Sequence, residues 1–86
     1  MNNLDAVLAS FDQVWSPRIA ATVNDHDLRL AHVRGQHVWH VHANSDELFC
    51  VLSGTLSLAW RDARDGEHRQ ELGVHDVHVV PAGTWH

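Results

Sequence analysis

The sequence predicts an all-β domain, an antiparallel sandwich or barrel that follows one short helix. Two observations predict it: apolar and polar residues alternate along many short segments after residue 17, and Gly, Pro and Asn-Asp turns separate those segments. The chain has 86 residues, which suffices for one small domain of marginal stability. We therefore expect an N-terminal helix within residues 1–16 and a β-barrel domain over residues 17–86.

The expected helix spans residues 3–15, where apolar residues recur at spacings of three and four. Asn2 or Asn3 can cap its start, Asp5 suits the first turn, and Ser16-Pro17 ends it. The apolar stripe consists of Leu4, Val7, Leu8, Phe11, Val14 and Trp15. Such a stripe is typical of a helix that packs on a core or on a partner chain.

From Pro17 onward the apolar period changes from helical spacing to two, which indicates strands. The predicted strands cover residues 18–23, 28–34, 37–42, 47–52, 55–62, 68–72 and 77–80. A last partial strand follows the turn at Pro81-Ala-Gly83. Many short strands with this punctuation predict an antiparallel arrangement.

Composition excludes several classes of protein. The net charge is −5, and all 6 basic residues are arginine, which argues against nucleic acid or an anionic membrane as the main partner. The single cysteine, Cys50, rules out an internal disulfide framework. The sequence starts without a secretory signal and holds no apolar run of about 20 residues. We therefore expect a cytoplasmic protein.

Four residues carry the chemical information: His40, His42, Glu47 and His86. Three imidazoles and one carboxylate are a ligand set that suits Fe(II), Mn(II), Ni(II), Co(II) or Zn(II). His86 lies far from the others in sequence, but the turn at residues 81–83 can fold it back, as expected for the last ligand of a rolled sheet.

The spacing of the first three candidates fits a strand followed by a return. Residues two apart in a strand point to the same face about 6.5 Å apart, so His40 and His42 can lean towards one ion. The polar loop at residues 43–46 turns the chain back and brings Glu47 beside them. Alternation points Asp46 the opposite way, so we exclude Asp46 as a ligand.

These residues stand within two longer motifs. Residues 35–47 read G-Q-H-V-W-H-V-H-A-N-S-D-E and are followed by Gly54, and residues 79–86 read V-V-P-A-G-T-W-H. The first stretch resembles the first motif of the cupin family, and the second is similar to its Pro-x-Gly-x-x-His motif. The resemblance covers most of the chain from about residue 19 and is closest to small single-domain cupins described as mannose-6-phosphate-isomerase-like.

The resemblance implies a jelly-roll barrel (a double-stranded β-helix), usually dimeric, in which two His, one Glu and a final His bind a divalent metal. By that similarity His40, His42, Glu47 and His86 are the metal ligands of a protein that acts on or binds a small oxygen-rich molecule. Sugar-phosphate isomerase-like and dioxygenase-like reactions are both open, and a non-catalytic sensing module is the alternative. No catalytic residue apart from the ligands can be named, and His37 is kept as a candidate pocket residue.

The sequence departs from the family pattern in three places. Gly35 stands one residue closer to His40 than usual, and His75 stands before Asp76 where the second motif has glycine. The third departure is that the sequence ends at His86, where a cupin continues through further strands. We therefore expect a fragment of a longer barrel, incomplete at its C-terminal end, or an edge covered by a partner chain.

Overall fold

A computed structural model describes residues 2–86, which form six strands and one short helix. The chain divides into two compact units, one that ends at His37 and one that spans Val38–His86. The strands pair in three two-stranded antiparallel sheets, β1 with β2, β3 with β6, and β4 with β5. Their bounds are Arg18–Val23 (β1), His26–Leu30 (β2), Glu47–Cys50 (β3), Leu56–Arg61 (β4), Glu67–Leu72 (β5) and Val77–Val80 (β6).

The helix of the first unit, α1, spans Leu4–Ala9 and is shorter than the apolar periodicity predicts. Asn3 caps it, since its side chain accepts a hydrogen bond from the amide of Ala6. Its end has a physical cause. Nε2 of His32 lies 2.9 Å from the carbonyl oxygen of Leu8 and 3.0 Å from that of Phe11, so this imidazole competes for the carbonyls that a longer helix would use.

The first unit also contains the β1–β2 hairpin, in which Val23 pairs with His26 across a two-residue turn. Asn24 in that turn has a φ of 55°, a left-handed conformation that asparagine tolerates better than most residues. Among residues 2–86 no helix is long and apolar enough to cross a membrane.

The second unit has a small apolar core, to which β4, β5, β6 and the residue that follows β3 each contribute one buried side chain. Val51, Leu58, Leu72 and Val80 are buried, and three half-buried residues pack against them. These three are Phe49, Leu56 and Trp60. The core lies on one face of both sheets, because side chains alternate along each strand. The same alternation places Glu47 on the face shared with Phe49.

The β4–β5 loop is held by one carboxylate. Asp62 accepts hydrogen bonds from the amides of Arg64 and Gly66, and its second oxygen lies 2.8 Å from Nε2 of His68. The hydrogen bond with His68, followed by the two amide bonds, holds the pKa of Asp62 below its ordinary value. The charged loop predicted at this place is therefore a tight turn organised around Asp62.

The loop that precedes β6 contains a residue in an unfavourable conformation. His75 has a φ of 72° and lies in a turn that the amide of Asp76 closes onto the carbonyl of Gly73. A residue with a side chain costs about 1–2 kcal/mol in this region, whereas glycine adopts it freely. The conformation explains why glycine is expected at this position in the cupin pattern.

Replacement of His75 by glycine is therefore expected to stabilise the protein. The gain is about 0.5–1 kcal/mol, since the relief of the left-handed backbone exceeds the entropy that glycine adds to the unfolded chain. Urea unfolding in the presence of a chelator measures it. His26→Gly is the matched control, because His26 lies in a strand and should lose stability. A destabilised His75→Gly protein would contradict this explanation.

Candidate metal centre

Two backbone hydrogen bonds join the ends of the candidate site. The amide of His40 donates to the carbonyl of His86, and the amide of His86 donates to the carbonyl of His40, both at 3.0 Å. This reciprocal pair is the narrow hydrogen-bonded unit of an antiparallel ladder. The two imidazoles consequently lie side by side with ring centroids 4.2 Å apart. Residues 37–42, predicted as a strand, form no regular strand and make this short pairing instead.

The turn between β6 and His86 is fixed from two sides. The amide of Gly83, whose φ is 79°, donates to the carbonyl of His42 at 2.8 Å. The carboxylate of Asp46 accepts a hydrogen bond from the amide of Ala82 at 2.8 Å. Asp46 immediately precedes β3, which begins at Glu47. The loop that leads into β3 therefore also tethers the turn that precedes His86. The role of Asp46 had no signal in the sequence beyond its place next to a candidate ligand.

Glu47 lies at the centre of the cluster. Its Oε2 is 2.9 Å from Nε2 of His86 and 3.1 Å from Nε2 of His42. Glu47 pairs with Val80 at the end of β6, which places the carboxylate next to the turn that leads to His86. The rings of His40 and His42 have centroids 5.1 Å apart. One ligand atom from each of the four residues lies within 4.8 Å of the others.

Two of the three histidines are oriented by the same local hydrogen bond. Nδ1 of His40 lies 3.2 Å from the carbonyl of Val38, and Nδ1 of His86 lies 3.0 Å from the carbonyl of Thr84. A carbonyl can only accept, so each Nδ1 carries the proton and donates it. In a neutral ring this leaves Nε2 with a lone pair, which is the arrangement that metal-binding histidines adopt.

The protonation of His86 decides the nature of its contact with Glu47. With Nδ1–H donated to Thr84, Nε2 of a neutral ring presents a lone pair to the carboxylate, and two lone pairs repel. Either a proton on Nε2 or a cation between the two atoms removes this repulsion, and a cation is coordinated by both. The residues therefore fit a metal on the chemistry of their donors, independently of any family pattern.

Distances support the same fit. Donor atoms bound to one ion at about 2.1 Å lie at most about 4.2 Å apart. The four ligand atoms lie within 4.8 Å of one another, so small side-chain shifts bring all of them into bonding range. The side chain of His86 is only 3% exposed, whereas those of His42 and Glu47 are 46% and 37% exposed. The cluster is thus anchored in the interior and open to solvent on one side.

All four candidate ligands named from the sequence meet, and Asp46 is not among the clustered groups. The remaining histidines have other surroundings. His37 has its ring against Trp15 in the first unit, with centroids 4.7 Å apart. The contact between His78 and Trp60, whose ring centroids are 4.6 Å apart, has no signal in the sequence.

Asp46→Ala is expected to weaken metal binding without abolishing it. The substitution removes the tether on the turn before His86 but leaves all four donor groups, so affinity should fall by about 10-fold at unchanged stoichiometry. Calorimetric titration of Mn(II) into chelator-treated protein measures both quantities. Asp12→Ala, which removes an exposed carboxylate of the first unit, serves as control. Equal affinity in Asp46→Ala and the parent protein would show that the tether is irrelevant.

Comparison with known proteins agrees with this geometry. The sequence pattern of the family Cupin_2, described as a cupin domain, matches residues 24–86. An uncharacterized protein of Bacillus subtilis (strain 168), YdbB, is 36% identical over all 86 residues, which cover 73% of that relative.

A solved structure is also similar. The crystal structure of a cupin-2 domain containing protein from Shewanella frigidimarina NCIMB 400 superposes with a TM-score of 0.87 at 38% identity, over 96% of this chain and 76% of that one. The all-β barrel class predicted from the sequence is thereby confirmed. The homodimer and the cytoplasmic location stay predictions. The chain belongs to the cupin family.

Proposed function

We propose that His40, His42, Glu47 and His86 bind one divalent first-row metal ion, and that this centre binds or transforms a small oxygen-rich molecule. The observation that carries the proposal is the convergence of three imidazole nitrogens and one carboxylate within 4.8 Å. This donor set suits Fe(II), Mn(II), Co(II), Ni(II) or Zn(II). The orientation of two rings by backbone carbonyls supports the assignment.

The charge and the exposure of the cluster indicate the class of ligand. Glu47 contributes one negative charge and three neutral histidines contribute none, so a divalent centre would keep about one positive charge. Four protein ligands around a six-coordinate ion leave two positions, and the exposed sides of His42 and Glu47 give access to them. This combination favours carboxylates, enolates or vicinal hydroxyls.

The chain would hold the four ligand groups in place, and the bound metal would activate the small molecule. When bound, the ion would act as a Lewis acid and template, with dioxygen chemistry open to Fe(II) and isomerisation more natural with Zn(II) or Mn(II). The chain itself holds the donors in place through the His40–His86 backbone pair and buries one wall of the site with Phe49, whose ring centroid is 5.8 Å from that of His86. The resemblance to mannose-6-phosphate-isomerase-like cupins makes an isomerase-like reaction one form of this proposal.

A non-catalytic binding module is the second candidate. The observation that favours it is that Asp46, the carboxylate next to the site in sequence, is committed to the amide of Ala82. Asp62 is likewise engaged by His68 and two amides. Neither group is available as a general base. Turnover assays on metal-loaded protein separate the candidates, because a sensor binds its ligand without converting it.

The metal proposal predicts that His40→Ala/His42→Ala abolishes tight binding of one equivalent of Mn(II) or Zn(II). Loss of two of four donors should weaken affinity by at least about 100-fold, since supporting groups alone are worth 10–100-fold. Titration calorimetry on chelator-treated protein is the measurement. His26→Ala/His75→Asn removes two histidines outside the cluster and should bind metal as the parent does.

Unchanged affinity in the His40→Ala/His42→Ala protein would refute the proposed centre. Circular dichroism in the presence of chelator should show that both double variants retain the sheet, so that a lost site is distinguished from a lost fold. Asparagine at position 75 is chosen because it tolerates the left-handed backbone observed there.

A further inference from the structure

His78 lies on the interior face of the second unit, beside the candidate metal centre. In the β3–β6 ladder Glu47 pairs with Val80 and Phe49 pairs with His78. His78 is therefore the diagonal neighbour of Glu47 on the same face, where Cβ atoms lie about 7–8 Å apart. Its sequence neighbours Val77 and Val79 point outward and are 56% and 47% exposed, whereas His78 is half-buried.

The ring of His78 is held in place by an aromatic contact. It packs on Trp60, with centroids 4.6 Å apart and planes inclined at 34°. Trp60 itself packs on the apolar core and on its other neighbour His68, with centroids 5.6 Å apart. A half-buried imidazole fixed by an indole has little freedom to move, so its nitrogens keep a defined direction.

The nitrogens of His78 have no partner of their own within residues 2–86. No hydrogen bond or ion pair joins either ring nitrogen to another described group. Asp62, which contacts the other imidazole on Trp60, is occupied by His68 at 2.8 Å and by two loop amides. A half-buried imidazole that points into the interior without a partner is available to a ligand.

We propose that His78 binds the distal end of a two-ended ligand whose proximal end occupies the open positions of the metal centre. The inference rests on the proposed metal function and adds the substrate class. The ligand is a small 2-hydroxy or 2-oxo acid whose proximal oxygens chelate the ion and whose distal carboxylate accepts a hydrogen bond from His78.

The charges around the site agree with this class. A divalent ion with Glu47 leaves a positive centre, and His78 supplies an N–H donor at the far end. Carboxylates at both ends of a ligand would each meet a complementary group. Phe49 lies between the two ends, as the register partner of His78 and a neighbour of His86, so it would contact the apolar middle of the ligand.

The test compares lactate with malate, which is lactate extended by one carboxylate at the methyl carbon. Both acids are titrated calorimetrically into Mn(II)-loaded protein and into Mn(II)-loaded His78→Phe, which keeps a ring on Trp60 but no donor. Malate should bind the parent protein at least about 10-fold more tightly than it binds His78→Phe, because one hydrogen bond to a charged group is worth that factor. Lactate should bind both proteins equally.

Two further variants separate a ligand contact from a structural role. His78→Gln retains a donor and should recover part of the malate affinity. His26→Phe removes an exposed imidazole of the first unit and should leave the ratio of malate to lactate affinity unchanged. Metal stoichiometry and melting temperature are recorded for each protein, so that failure to bind Mn(II) is recognised as failure of the metal proposal rather than of this one.

An equal ratio of malate to lactate affinity in the parent and in His78→Phe, with Mn(II) bound to both, would overturn the role of His78. Absence of saturable binding of either acid to Mn(II)-loaded parent protein would overturn it as well. A selective loss of malate affinity in His78→Phe, with lactate unaffected, supports it.

Discussion

The candidate site depends on one backbone contact, the reciprocal pair of hydrogen bonds between His40 and His86. The two residues are far apart in sequence, and this pair brings their imidazole rings to a centroid distance of 4.2 Å. Closing so long a loop costs conformational entropy that two hydrogen bonds alone do not recover. The core around Val80 and the tether from Asp46 to Ala82 supply the remaining stabilisation. A metal bound to residues from both ends would add to it by mass action.

Folding places the imidazole of His86 next to the carboxylate of Glu47, so the stability of the fold depends on how these two groups interact. The side chain of His86 is almost fully buried, whereas the side chain of Glu47 that it faces is 37% exposed, so the imidazole loses most of its water and the carboxylate only part. Such a pair is stabilising only when its remaining hydrogen-bonding groups are satisfied. Thr84 satisfies Nδ1 of His86, and the shared ion proposed here would satisfy the lone pairs of Nε2 and the carboxylate. Burial on one side and exposure on the other give a site that is rigid yet accessible.

Much of this arrangement could be predicted from the sequence, and the exceptions have identifiable causes. The prediction that His40, His42 and Glu47 lie together agrees with the structure. The strand over residues 37–42 on which that prediction rested does not form, and the pairing of His40 with His86 takes its place. The length of α1 could not be predicted from apolar spacing, because the competing group, His32, lies more than twenty residues away. The contact between His78 and Trp60 depends on the packing of β4 against β6, which no local pattern encodes.

If one ion is shared by the four side chains, anomalous diffraction from crystals grown with Mn(II) or Zn(II) will locate it. We expect a single anomalous peak per chain, about 2.0–2.3 Å from Nε2 of His40, His42 and His86 and from a carboxylate oxygen of Glu47. A peak bound elsewhere, or a well-ordered cluster without a peak at saturating metal, would contradict it.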